Sequence, residues 1–380
     1  MIAVLGASGE VGRHAVALLA RARSRPLRLG ARDPGAVHVD AAWRDVEVTA
    51  VDATDPASLA AFCRGQRVVL NCAGPSYLLK ETVARAALAA GADYVDVLGD
   101  DPVAEALGDA GVPTEGRRVV LSAGTVPGLS GLLPRHLLDT RPAGATAPTA
   151  LTVHAGGLER ATRTVAADIL LSLRDGGPDG EPYGHALAMW RQGRRQDKAL
   201  RVEEDAEVPF FPGRVTTQPL LTAEVQRLAA DLRLAEARWY NVFPGGQIRS
   251  LFAALPTLPV DTETRRQEAV DRIIRAGAID LAGRAPYYRL VVELSGPEWS
   301  RTVVVRADDS YRLTGAVAAV TVGEVLADRV APGLHFAARV LRPAGVLAAL
   351  ERTGAAEFAR FTTAAPDGAP AVGAFEDGAL

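Results

Sequence analysis

Apolar and polar positions along the first third of the chain predict strands and helices in alternation. Ile2 to Leu5 is a short apolar run closed by Gly6, and Val11, Ala15, Leu18 and Leu19 then recur at helical spacing. Further strands are expected over Leu27 to Ala31, Val46 to Val51, Val68 to Asn71, Tyr94 to Leu98 and Val119 to Ser122. Glu81 to Ala90 reads as a helix stopped by Gly91. Strands separated by helices in this way argue for βαβ units and a parallel sheet, hence an α/β domain of Rossmann type.

The pattern changes near Gly124. Leu151 to Ala155, Trp239 to Phe243, Tyr287 to Leu294 and Thr302 to Val305 read as strands, and Thr162 to Leu173 and Thr264 to Ala276 as helices. Asp261 or Thr262 stands near the cap of the second helix, and Gly176 to Gly180 is a strong loop signal. This mixture suits an α+β domain built on a largely antiparallel sheet. Two helices follow, Thr314 to Leu326 and Pro343 to Leu350. The first is small and apolar on most sides, so it is expected to be buried against the first domain.

Composition narrows the function. The 380 residues are 48% apolar and 23% charged, with a net charge of −3. Such a balance creates no field to attract nucleic acid or an anionic membrane, so neither is an expected partner. The two cysteines, Cys63 and Cys72, make no disulfide framework, and Cys72 reads as a small buried hydrophobe. Met1 runs straight into Ile2-Ala3-Val4-Leu5 without a basic region, so a signal peptide is not expected. The reading is a cytoplasmic protein. No His/Cys cluster has metal-ligand spacing and no Gly-x-Ser-x-Gly elbow occurs, so a metal is not expected.

The first motif with chemistry in it is Gly6-Ala7-Ser8-Gly9-Glu10-Val11-Gly12. It follows a predicted strand and opens a predicted helix, the context in which a glycine triplet cradles a pyrophosphate. The helix N-terminus offers N–H groups and a partial positive charge to the phosphates. The second strand ends at Arg32-Asp33. An arginine here meets the 2′-phosphate of NADP, whereas an acid bonds the 2′-hydroxyl of NAD. Arg32 comes first, and its charge-assisted contact is worth roughly 1.5–3 kcal/mol. NADPH is therefore favoured over NADH, the alternative being that Asp33 takes the ribose. Asp52-Ala53 is expected beside the adenine, and Asn71, Ala73, Gly74 and Pro75 beside the nicotinamide ribose, from their places at strand ends.

These blocks, with Gly91-Ala92-Asp93-Tyr94-Val95-Asp96, Ala123-Gly124-Thr125-Val126-Pro127-Gly128-Leu129 and Tyr311-Arg312-Leu313-Thr314-Gly315, resemble the saccharopine dehydrogenase/reductase-like family. The resemblance touches residues 2–135 and about 311–350. It implies an NADP-binding Rossmann domain (1–128), an inserted α+β substrate and dimerisation domain (129–310) and C-terminal helices that return to the first domain (311–355); the remainder (356–380), rich in Ala, Gly and Pro from Ala364, is expected to be a loose tail. It also implies NADPH-dependent reduction of an imine in an amino-acid-derived or specialised metabolite. Two alternatives stay open: reduction of a conjugated C=C bond, as in distant relatives, and a non-catalytic NADP(H) sensor. The family often has tyrosine directly after Gly-Pro and glycine before the glutamate; here Ser76 and Lys80 stand in those places.

Hydride transfer needs mainly geometry. Asp96, at the mouth of the fifth strand, is the candidate to stabilise positive charge, or else a cap. Tyr77 is read as a substrate-positioning or proton-relay group, or as a packing aromatic. Lys80 is read as a contact to a substrate carboxylate or the cofactor, or as an exposed helix-start charge. The Tyr-x-x-x-Lys pair of short-chain dehydrogenases is absent, because Ser76 precedes Lys80 by four and Arg194 precedes Lys198 by four. Arg163, Tyr240, Asn241 and Arg249 are the candidates for gripping a small-molecule substrate. An exposed edge of the second sheet offers a route to a homodimer.

Overall fold

The computed structural model describes residues 1–22, 26–109, 111, 112, 114, 116–172, 184–254, 258 and 260–363. They form two compact units, one from Met1–Leu132 with Ser310–Ala355, the other from Leu133–Asp309 with the residues from Ala356 onward.

The first unit is a seven-stranded, all-parallel sheet. Its strands are β1 (Ile2–Leu5), β2 (Leu27–Ala31), β3 (Val46–Ala50), β4 (Val68–Asn71), β5 (Asp93–Asp96), β6 (Arg118–Leu121) and Gly333–Phe336. Their order is Gly333–Phe336, β6, β5, β4, β1, β2, β3. β1, β4 and β5 are buried at every position. Both faces of the sheet are covered, which is why these strands read as unbroken apolar runs. On one face lie α1 (Glu10–Arg21) and the helix Ser310–Leu326, in close contact. A Cβ on Gly315 would sit 2.8 Å from the Val11 carbonyl oxygen, so glycine lets the two helices touch. The other face packs Ala3, Leu5, Val69 and Tyr94 against Leu59, Phe62, Val83, Ala87, Val103 and Leu107. Those last six come from α2 (Pro56–Cys63) and the helices Thr82–Ala89 and Asp101–Asp109.

The edge strand Gly333–Phe336 is absent from the sequence reading. It is four half-buried residues with no alternation, and it exists because β6 offers it a parallel edge; the Gly333 amide donates to the Arg117 carbonyl at 2.7 Å. The helices Pro56–Cys63 and Asp101–Asp109 are absent from it too. The first is apolar on nearly every side and shows no stripe, whereas the second carries a short one through Val103 and Leu107 that spans only nine residues.

The second unit is a ten-stranded mixed sheet. Its long strands are β7 (Ala150–Leu158), Arg214–Thr222, Glu236–Phe243, Tyr287–Gly296, Trp299–Ala307 and Glu357–Thr363. Ala150–Leu158 pairs in parallel with Glu236–Phe243, and the other named pairs are antiparallel. The helices Arg163–Ser172, Gly246–Ala254 and Glu263–Leu281 share a core of Ala166, Leu170, Phe252 and Ile273. Thr262 caps the last of them, its hydroxyl accepting from the Arg265 amide. One expectation is corrected here. The tail expected to be loose from residue 356 begins with the strand Glu357–Thr363, held by a seven-residue ladder to Trp299–Ala307. The rest of that tail and the Gly176 to Gly180 run lie outside the described residues.

Candidate cofactor and active site

All the expected cofactor residues stand at the C-terminal ends of the parallel strands, and the strand order reverses between β4 and β1. That reversal opens the crevice in which such sheets bind ligands. Gly6 has φ +79°, and its amide and that of Ala7 both donate to the Gly30 carbonyl, at 2.9 and 3.1 Å. A Cβ on Gly6 would lie 2.7 Å from the Ala73 amide nitrogen, and one on Gly12 would lie 2.1 Å from the Gly6 carbonyl oxygen. These two glycines are required by the protein's own packing. Gly9 is not: the nearest atom to a Cβ there is the Gly6 oxygen, at 3.3 Å. Gly9 is the N-cap of α1, and no side chain caps the helix. An uncapped helix start behind a bare glycine fits a diphosphate. Glu10 is paired with Arg13 one turn on, which holds its carboxylate.

Arg32 and Asp33 are both exposed at the tip of β2. Their roles separate by hydrogen bonding. Asp33 caps the turn Pro34–Ala36, its Oδ1 accepting from the Gly35 amide at 2.9 Å. Asp52 is held in a turn of its own, where the Thr54 hydroxyl and amide donate to Oδ1 at 2.7 and 2.8 Å. Those two bonds, and then the nearby Arg32 guanidinium, keep its carboxyl below the usual range. Ala53 follows, half-buried.

On the other side of the crevice, the Asn71 carbonyl oxygen accepts from the Ala73 amide at 3.1 Å, so the side chain braces the Ala73-Gly74-Pro75 loop. Its Nδ2 donates to Asp96 at 3.1 Å. Of the two roles the sequence leaves open to Asp96, stabilising positive charge in the crevice or capping, the structure supports the cap in place of the first, since the side chain is 3% exposed. Its Oδ2 also accepts from the Tyr94 hydroxyl at 2.5 Å, and its Oδ1 from the Leu98 amide at 2.9 Å. Burial pushes its carboxyl above the usual range, against the pull of those donors. Tyr94 lies two residues earlier on the same face and claims the carboxylate from within. Asp96 therefore ties β4, β5 and the following loop together. The Cys72 thiol is likewise pushed up by burial and then by the Asp96 charge, which leaves it unreactive.

Ser76–Leu79 forms a single helical turn beyond Pro75, with Leu78 59% exposed. Tyr77 lies in that turn, and its side chain is outside the description. Lys80 ends the turn at φ +41°, ψ −128°, a conformation that suits glycine. Such strain costs on the order of 1–3 kcal/mol. Lys80→Gly is therefore expected to raise stability by about 1 kcal/mol after its own entropic cost. Urea unfolding checks this, and a loss of stability would show that the lysine side chain contributes more than its backbone costs.

The substrate candidates in the second unit do not converge. Arg163 is exposed and paired with Asp271 at 2.6 Å and Gln267 at 2.8 Å, so it joins two helices instead of awaiting a carboxylate. Arg249 is paired with Glu204. Tyr240 and Asn241 are consecutive in a strand and point to opposite faces. Tyr240 stacks on His154 with ring centroids 4.9 Å apart, and Asn241 accepts from the Trp239 indole at 2.8 Å. Sequence reasoning missed Thr125 and Thr314. Their hydroxyls bond at 2.9 Å and fasten the 123–129 loop to the helix Ser310–Leu326. Both lie in the segments that carry the family resemblance, but nothing in the sequence pairs the two hydroxyls.

Residues 2–110 match the family described as the saccharopine dehydrogenase NADP binding domain. The match covers the N-terminal part of the chain alone, less than half of its length. Its glycine loop, Arg32 and the Asn71–Pro75 segment all fall within the match. A probable mitochondrial saccharopine dehydrogenase-like oxidoreductase from Arabidopsis thaliana is 31% identical over 112 residues, which cover 26% of this chain. The match spans a quarter of that relative's length (25%). A saccharopine dehydrogenase (L-Glu forming) from Saccharomyces cerevisiae has the same fold across both units. It superposes with a TM-score of 0.67 at 14% identity, over 96% of this chain and 99% of that one. Among the described residues, no helix is long and apolar enough to cross a membrane.

Proposed function

We propose that the chain is an NADPH-dependent reductase of an imine in an amino-acid-derived or specialised metabolite. The observation that carries the cofactor preference is the division of labour at the tip of β2. Asp33 spends a carboxylate oxygen on its own turn, while Arg32 is exposed beside the crevice. In this reading the Gly6–Gly12 loop holds the diphosphate, Arg32 the 2′-phosphate, and Ala73-Gly74-Pro75 borders the nicotinamide ribose. The bound nucleotide supplies a hydride from nicotinamide C4. The protein's part is to orient the ring and exclude water.

The withdrawal of Asp96 leaves Tyr77 as the candidate proton donor that C=C reduction would require, whereas C=N reduction requires none. A protonated imine carries its own proton, whereas an enoyl group needs an acid to protonate carbon. Asp96 is enclosed by three donors and does not supply one.

Arg32→Ala is expected to weaken NADPH binding about 10- to 100-fold, the loss of one charge-assisted contact. NADH binding should stay within about twofold, since it has no 2′-phosphate. Titration of both nucleotides by fluorescence checks this, and equal losses for the two would defeat the assignment.

A further inference from the structure

Every contact that Asp96 makes has a donor on the other side. The Tyr94 hydroxyl and the Asn71 amide group donate to Oδ2, at 2.5 and 3.1 Å, and the Leu98 amide donates to Oδ1 at 2.9 Å. An ionised carboxylate only accepts. It therefore fixes the Asn71 amide one way round, with Nδ2 toward Asp96. Oδ1 is left to face the Ala73 amide, from which it accepts at 3.1 Å. A flipped Asn71 would set N–H against N–H at Ala73. Asn71 is 3% exposed and lies opposite Asp96 in the pairing of β4 with β5, so the orientation of this amide is set from the neighbouring strand.

The consequence falls on the loop that follows. The Cys72 amide donates to the Leu5 carbonyl at 2.9 Å, which ties the start of the loop to β1. Ala73 carries the next amide, and Asn71 is its acceptor. Pro75 has no N–H, and its carbonyl accepts from Leu78 and Leu79 at 3.2 Å, where the helical turn begins. Between them stands Gly74, half-buried, whose amide has no acceptor among the described residues. A backbone N–H held on both sides and left without a partner suits a ligand oxygen. On its inner side the loop is stopped by Gly6, where a Cβ would lie 2.7 Å from the Ala73 nitrogen. Loss of the brace therefore frees the loop outward, away from β1. Gly6 would stay in place, because its amide is bonded to the Gly30 carbonyl at 2.9 Å.

We propose that Asp96 is a positioning residue for the nicotinamide half of the nucleotide, acting through Asn71 to set the Gly74 amide. In this role, which rests on the cofactor assignment above, Asp96 touches neither nucleotide nor substrate. It supplies the negative charge that keeps Asn71 from turning over. The adenosine half is held by the Gly6–Gly12 loop and Arg32, so it does not depend on the brace. The two halves of one ligand should therefore respond differently to a change at Asp96.

The test is a calorimetric titration of the full chain with NADPH and, separately, with adenosine 2′,5′-bisphosphate, which lacks the nicotinamide half. Three variants are compared with wild type: Asn71→Asp, Asp96→Asn and the two together. Asn71→Asp sets two carboxylates face to face and should raise the NADPH Kd at least about tenfold. Asp96→Asn leaves one acceptor oxygen for both Leu98 and Asn71 and should raise it at least about threefold. The exchange restores one consistent set of bonds. The carboxylate introduced at 71 accepts from Ala73 and from the amide group introduced at 96, whose oxygen keeps Leu98. The double variant should return to within about threefold of wild type. Affinity for the bisphosphate should stay within about twofold throughout, whereas general damage to the fold would lower both. Should Asn71→Asp fail to fold by circular dichroism, the double variant must still bind NADPH more tightly than Asp96→Asn. The proposal fails if the exchange rescues nothing, or if both ligands lose affinity equally. A wild type that binds neither ligand would take the cofactor assignment down with it. Single variants that bind NADPH like wild type would remove the role of Asp96 alone.

Discussion

Gly12→Ala is expected to abolish measurable nucleotide binding, a loss of at least about 100-fold, equivalent to about 2.7 kcal/mol. The added methyl group would sit 2.1 Å from the Gly6 carbonyl oxygen and 3.0 Å from the Ala7 Cα, both backbone atoms. Neither can rotate away as a side-chain tip would. The first turn of α1 must move from the end of β1, and the loop between them must deform. Gly6 has little freedom to follow, because it is pinned to Gly30 and abuts Cys72 and Ala73. Gly9→Ala is the control. Its methyl meets only the Gly6 oxygen, at 3.3 Å, so the fold should tolerate it while NADPH affinity still falls. Circular dichroism and NADPH fluorescence on both variants separate the two effects. A Gly12→Ala protein that binds NADPH like wild type would refute the assignment of this loop to the phosphates.

Asp93→Ala should cost about 3–5 kcal/mol of stability, the usual result of removing one partner from a buried ionic group. Asp93 is fully buried at the first residue of β5. Its carboxylate accepts from the Arg67 guanidinium and from the Arg118 amide, the latter at 2.9 Å. Arg67 precedes β4 and Arg118 begins β6, so one carboxylate aligns three neighbouring strands at the end opposite the cofactor crevice. The two arginines also reach Asp328, at 3.2 and 2.9 Å, and Arg118 donates to the Val330 carbonyl at 2.7 Å. The returning C-terminal segment is thereby seated where its strand pairs with β6. Asp328 is 63% exposed at its side chain, so Asp328→Ala should cost no more than about 1 kcal/mol. Urea midpoints for the two variants measure the contrast. Similar small losses for both would show that Asp93 does not organise the sheet.

Asp93 and Asp96 also show how far residue identity carries. Both belong to Gly91-Ala92-Asp93-Tyr94-Val95-Asp96, and the sequence marks both as unusual, since acids are seldom found in a strand buried at every position. It does not say which faces a ligand. The answer depends on Arg67, Arg118, Asn71 and Tyr94, whose arrival at these two carboxylates is a matter of strand order and register. The same cause removes Arg163, Arg249 and Asn241 from the candidate site. Each reads in sequence as an available polar group, and each is engaged by a partner distant in sequence or on the same strand face.

Local chemistry alone determined the α/β class of the first domain, the limits of β1, β2 and β4, and the place of the glycine loop between β1 and α1. A short apolar run, a glycine turn and an amphipathic helix constrain one another within about a dozen residues. What only the tertiary structure decided were the long-range pairings: the seventh parallel strand at Gly333–Phe336, the last strand at Glu357–Thr363 and the withdrawal of Asp96. Hydrogen-bond ladders and buried charges take their partners from any part of the chain, and no pattern of neighbours along the backbone records which partner will arrive.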